Sequence, residues 1–165
     1  MGTLYTLSVT LHVLAAIFWL GGMFFLGVIG APVLRSVDPP SLRVELFRKI
    51  GERARLWGWS SIGILVATGV LNLHLRGLLS VEQWVNPNFW TSRMGRALAW
   101  KLAIVAAMVA ASAVHDFILG PRAGRRELSR STRETMRRRA ALLARANAGL
   151  GILLVYWAVR LSRGG

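Results

Sequence analysis

The stretch LYTLSVTLHVLAAIFWLGGMFFLGVIGAPVL, residues 4–34, carries no Asp, Glu, Lys or Arg and decides the class of the molecule. A bilayer core needs roughly 20 consecutive apolar residues, and this run exceeds that. Three further runs follow, near residues 57–79, 95–119 and 140–161. An all-α integral membrane protein with four antiparallel helices, a four-helix bundle forming one transmembrane domain over 1–165, is therefore expected. The first run lacks a positive n-region, so it is expected to be a retained span and not a cleaved signal.

Composition agrees with that reading. The chain of 165 residues is 54% hydrophobic and only 17% charged, yet it has 21 Lys and Arg against 7 Asp and Glu, a net charge of +14. That charge is segregated. Arg35, Arg43, Arg48, Lys49, Arg53 and Arg55 fall in the connection 35–56, and Arg122, Arg125, Arg126, Arg130, Arg133, Arg137, Arg138 and Arg139 fall in the connection 121–139. The middle connection, 80–94, has Arg93, with Arg76 and Arg96 at its edges, and an aromatic cluster of Trp84, Phe89 and Trp90. By the positive-inside rule the two basic connections are cytoplasmic and both termini lie outside. Segregated charge of this kind points to anionic lipid headgroups, not to nucleic acid. The segment 35–56 is expected to lie along the headgroups, with Leu42, Val44, Leu46, Phe47 and Ile50 on its apolar side.

No cysteine is present, which excludes disulfides, thiolate metal sites and a cysteine nucleophile. The spans contain no carboxylate pair, and the chain has no phosphate loop, no serine elbow and no HExxH motif. If the chain is an enzyme, it is a membrane oxidoreductase. No sequence repeat is evident, although Ala103, Ala107 and Ala111, and Ala140, Ala144 and Ala148, provide small surfaces for close helix approach.

Ionisable side chains inside a membrane are functional candidates by default. Here they are His12, His74, Lys101 and His115. His12, His74 and Lys101 are expected in the outer leaflet; His115, about 21 Å further along the third helix than Lys101, lies near the opposite end on the same face. Asn147 falls at a depth comparable to His115 and is its expected hydrogen-bond partner. Imidazoles facing a bundle interior suit a haem iron, with His12 as one axial ligand and Lys101, if neutral, or His74 as the other. Copper is the alternative, with His12 and His74 as ligands. The soft sulfur donors that Cu(I) favours are few, since Met23, Met94 and Met108 do not cluster.

Several stretches resemble the CopD-like membrane family. They are Leu11-His12-Val13-Leu14-Ala15-Ala16-Ile17-Phe18-Trp19-Leu20-Gly21-Gly22, then Ala31-Pro32-Val33-Leu34-Arg35, then Gly95-Arg96-Ala97-Leu98-Ala99-Trp100-Lys101-Leu102, and His115-Asp116-Phe117-Ile118-Leu119-Gly120-Pro121-Arg122. That resemblance implies a role in copper resistance or uptake. A similar family of haem-binding protoporphyrinogen oxidases implies haem b, with axial roles falling on His12 and Lys101. Three functions are thus expected: a haem b redox or electron-transfer protein of the bacterial inner membrane, working with a quinone or another redox partner; a copper-transporting or copper-binding protein; or an accessory subunit assembled with other membrane proteins.

Overall fold

The computed structural model describes residues 2–121 and 129–164. About 90% of the model is helical, and no strand occurs among the described residues. Four helices are long and apolar enough to cross a membrane, Thr3–Arg35, Pro40–Leu75, Arg93–Leu119 and Glu134–Ser162. Their surfaces carry exposed Leu7, Ile17, Phe18, Val28, Ile152 and Leu153, among others. An apolar surface this extensive is stable in lipid and not in water. The protein is a multi-pass membrane protein.

The chain divides into two compact units, Met1–Gln83 and Trp84–Gly165. The core of each is a pair of antiparallel helices. In the first unit α1 (Thr3–Phe25) runs through a π-helical turn, Leu26–Gly30, into α2 (Ala31–Arg35). A short turn leads to α3 (Pro40–Leu75), which packs back on α1. The contact uses Ser8, Ala15 and Trp19 of α1, all buried, which follow the i, i+3, i+4 spacing of one helix face. Opposite them lie Ser61, Ile62 and Thr68. Two glycines let the helices approach closely: a Cβ on Gly69 would touch the His12 ring at 3.5 Å, and one on Gly58 would meet Trp19 at 4.0 Å.

Helix α3 ends earlier than its hydropathy predicts. Arg76 is its C-cap and Gly77 takes a positive φ of 68°. The Gly77 amide donates to the His74 carbonyl and the Leu78 amide to the Leu73 carbonyl, both at 2.9 Å, with Leu78 buried. This is a Schellman stop, and only glycine reaches its backbone angle without strain. The apolar pair Leu78-Leu79 lies beyond the helix although its composition resembles more span.

The basic stretch within 35–56 is not a separate short helix. Residues 40–75 form one unbroken helix of 36 residues, so the basic stretch is a direct extension of the span. Such a helix is about 54 Å long, against about 30 Å for the hydrocarbon core, so it cannot turn flat onto the membrane without a break. Its Leu42, Val44, Phe47 and Ile50 remain exposed. Exposed i,i+4 pairs, Arg48–Glu52 at 3.0 Å and Lys49–Glu45 at 2.7 Å, brace the extension. The Lys49 ammonium, hydrogen-bonded to Glu45, holds that carboxyl below its ordinary value. Arg43 donates to the Arg35 carbonyl at 3.0 Å, placing a cation where α2 exposes its last carbonyls.

The second unit repeats this plan. After the short helices α4 (Val81–Val85) and α5 (Pro87–Thr91), α6 (Arg93–Ala113) enters a π-helical turn, Val114–Leu119. Helix α7 (Arg130–Ser162) returns along it, again with its basic end at the connecting loop. Arg122, Arg125 and Arg126 lie outside the described residues. Ser92 caps α6 by accepting from the Gly95 amide at 3.0 Å, and Ser129 caps α7 by accepting from Thr132 at 3.2 Å.

The units share a helical plan. Pro121 follows Pro32 by 89 positions, and at that offset four buried positions coincide, Ser8 with Ala97, Ala15 with Ile104, Trp19 with Met108 and Ile62 with Gly151, whereas the buried Ser61, Thr68, Leu98 and Asn147 have no buried counterpart. The π-helical turns fall in matching places, and Lys101 takes the register position of His12. Side-chain identity along these arms is low, so the shared plan is one of helix order and π-helical turns, which explains why it is not evident in the sequence.

Candidate functional site

On α1 the His12 ring lies against α3, its Nδ1 2.8 Å from the Thr68 hydroxyl. That hydroxyl is also 2.6 Å from the Ile64 carbonyl. A threonine hydroxyl has one proton, and a carbonyl can only accept, so the proton goes to Ile64. Thr68 therefore accepts from His12, the neutral imidazole carries its hydrogen on Nδ1, and the lone pair is on Nε2. Histidines that bind metals are commonly oriented this way, with one ring nitrogen donating to a fixed oxygen.

One helical turn from His12 sits Ser8, and one turn from Thr68 sits Asn72. Because α1 and α3 are antiparallel, both lie on the same side of the His12–Thr68 level. Ser8 Oγ and Asn72 Oδ1 are buried with no hydrogen-bond partner among the described residues. Two such oxygens cost roughly 1–3 kcal/mol each unless something meets them. Each stands one helical turn from a member of the His12–Thr68 pair, and both are neutral oxygens. Met23 lies on the same face as His12, eleven residues or about 16 Å deeper.

His74 stands apart from these residues. It lies six residues beyond Thr68, about 9 Å along the axis, on another face of α3, in the last turn of the helix and exposed.

In the second unit Lys101, Met108 and His115 follow at seven-residue steps, with Met108 fully buried. His115 stands in the π-helical turn, its Nδ1 2.8 Å from Asp116 Oδ1. The Asn147 amide donates to Ser112 at 3.0 Å, one turn before. The polar pairing at this depth thus runs His115–Asp116 and Asn147–Ser112, where depth alone pointed to His115–Asn147. Trp100 stacks on Trp157 with ring centroids 5.9 Å apart.

Among the described residues no group of three His, Cys, Asp or Glu is placed to hold a metal ion. Sequence reasoning singled out His12 but missed Ser8 and the role of Thr68. The signal was present in the four-residue spacings Ser8–His12 and Thr68–Asn72, which each put two polar side chains on one face.

Comparison with known proteins points in one direction. The sequence model of the family described as copper resistance protein D matches residues 49–161, a span that includes Thr68, Asn72, Lys101, His115 and Asn147. A protein of Aquifex aeolicus (strain VF5), described as an uncharacterized protein, is 34% identical over 155 residues, covering 93% of this chain and 92% of the relative. No solved structure matches. The family description names copper, and nothing in these comparisons supports haem b, which therefore yields first place to copper. By the extent of that match, the chain belongs to the copper resistance protein D family.

Proposed function

We propose that the protein is a copper-handling protein of the bacterial inner membrane, with both termini outside, and that the first helical pair takes up copper as its cargo through His12 Nε2. The observation that carries this reading is the Thr68 hydroxyl, which fixes the imidazole tautomer and leaves a lone pair on Nε2. Ser8 Oγ and Asn72 Oδ1, buried one helical turn from His12 and Thr68 respectively, are the unsatisfied oxygens of this helical pair and the candidates to complete the ion's surroundings. Imidazole serves copper in either oxidation state, and the neighbouring oxygens suit Cu(II) better than Cu(I). The absence of cysteine and the depth of Met23 fit the same preference at this end of the site.

The test is copper affinity of the purified full-length protein, measured by competition with a chelator. His12→Ala is expected to abolish the tight site. Thr68→Val, which keeps the shape and removes the acceptor, is expected to weaken it by roughly 10- to 100-fold, the usual cost of losing an outer-shell partner. Unchanged affinity in His12→Ala overturns the proposal. A b-type reduced-minus-oxidised spectrum from the same sample, lost in His12→Ala, would replace copper by haem.

A further inference from the structure

The end of the second unit away from its connecting loop carries Arg93 and Arg96 on α6 and Arg160 and Arg163 at the end of α7. None of the four makes an ion pair among the described residues. The acidic residues described on these helices, Asp116 and Glu134, lie toward the opposite end. Orientation in the membrane does not call for these arginines; they work against the bias that the basic loops create. Arg160 and Arg163 stand at the C-terminus of α7, where the helix dipole favours a cation, but Arg93 and Arg96 stand at the N-terminus of α6, where it does not.

Directly below Arg96 is a groove of about 280 Å³ lined by Arg96, Ala99, Trp100 and Ala103. These positions share one face of α6, and the two alanines make the depression. Trp100 forms its wall, 55% exposed and held in place by stacking on Trp157. Arg96 lies three residues inside the helix, and Ala103 about 10 Å deeper. A cation at the interface, a tryptophan beside it and an apolar channel of that length below match a phosphate, a glycerol backbone and the start of an acyl chain in that order.

We propose that this groove binds one anionic phospholipid, its phosphate on Arg96 and an acyl chain along Ala99 and Ala103. Charge complementarity selects the occupant: Arg96, which lines the groove and makes no ion pair among the described residues, favours a headgroup with net negative charge over a zwitterionic one. The site is independent of the copper reading, since it lies wholly in the second unit and shares no residue with the His12 cluster.

The test uses the full chain in detergent micelles with equal amounts of dioleoyl phosphatidylglycerol and dioleoyl phosphatidylcholine, and native mass spectrometry to count retained lipid. One phosphatidylglycerol is expected to be retained in preference to phosphatidylcholine. Arg96→Gln is expected to reduce that preference by about tenfold, the effect of one charge-assisted contact. Ala103→Phe, which fills the groove, is expected to lower retention of both lipids. Arg48→Gln, on the basic extension of α3, is expected to leave the preference intact. Equal retention of the two lipids by the unaltered protein overturns the proposal. So does a preference that survives Arg96→Gln or is lost in Arg48→Gln, because the lipid then sits at the basic loops. Displacement of the lipid by glycerol phosphate alone also overturns it, since the acyl groove would then contribute nothing.

Discussion

A single hydroxyl proton organises the site in the first unit. Because Thr68 donates to Ile64, it can only accept from His12, and this choice puts the imidazole lone pair on Nε2. The consequence is a distinction between neighbours on α3: Thr68→Val changes copper affinity, whereas Ser61→Ala, whose hydroxyl donates to the Trp57 carbonyl of its own helix, should not. A chelator competition series on the two variants checks this. A second single-residue prediction concerns Gly95 at the start of α6. A Cβ there would run into the Phe89 carbonyl oxygen, which is backbone and cannot yield cheaply. Gly95→Ala is therefore expected to destabilise the second unit by about 2 kcal/mol or more, in the range of overpacked positions, and to lower the thermal unfolding midpoint in detergent. His12 was legible as a functional candidate because an ionisable group in a span is costly. Its partner was less so, since threonines in membrane helices ordinarily satisfy themselves on their own backbone, as Thr68 also does.

Helix ends and extensions depend on backbone rules that hydropathy does not register. Hydropathy alone carries the second span to residue 79, but Gly77 stops α3 at Leu75. Gly77→Ala must place a Cβ at positive φ and is expected to cost about 1–2 kcal/mol, read as a lower unfolding midpoint with unchanged helix content. The basic connections likewise read as separate loops in the sequence, since charge and apolarity change abruptly near residue 56. Helix propensity does not change there: Arg53, Ala54, Arg55 and Leu56 are all good helix formers, so the helix continues without a break. The extension of α3 should show a weak acid response. Glu45 is held below its ordinary value by Lys49, so the pair contributes above the unfolded carboxyl pKa and its contribution is lost as pH falls through the folded value. Protection of residues 40–50 against hydrogen exchange, taken relative to the intrinsic rate at each pH, is expected to fall slightly on that acid side, and Glu45→Gln to remove the dependence. The π-helical turns, Leu26–Gly30 and Val114–Leu119, left no trace in the periodicity, because one extra residue in one turn barely shifts an apolar pattern.

Across the whole molecule, length, apolar runs and charge segregation were enough to read an all-helical protein with four candidate spans, and the quoted motifs were enough to reach the copper resistance protein D family. The two-unit plan was not legible, because it is carried by helix order and the two π-helical turns and not by which residues occupy matching positions. Membrane proteins allow this: any apolar side chain serves on a lipid-facing surface, so identity carries little of the plan. The absence of cysteine makes topology directly testable with single introduced cysteines. Labelling by an impermeant thiol reagent in intact cells is expected at position 163 and not at position 48; the reverse pattern contradicts both termini lying outside.

The central claim, that His12 presents Nε2 to copper, is tested most directly by electron paramagnetic resonance of the Cu(II)-loaded protein with ¹⁵N-labelled histidine rings. One imidazole coupling is predicted, present in His74→Ala and His115→Ala and absent in His12→Ala. A spectrum that keeps its nitrogen coupling in His12→Ala contradicts the account.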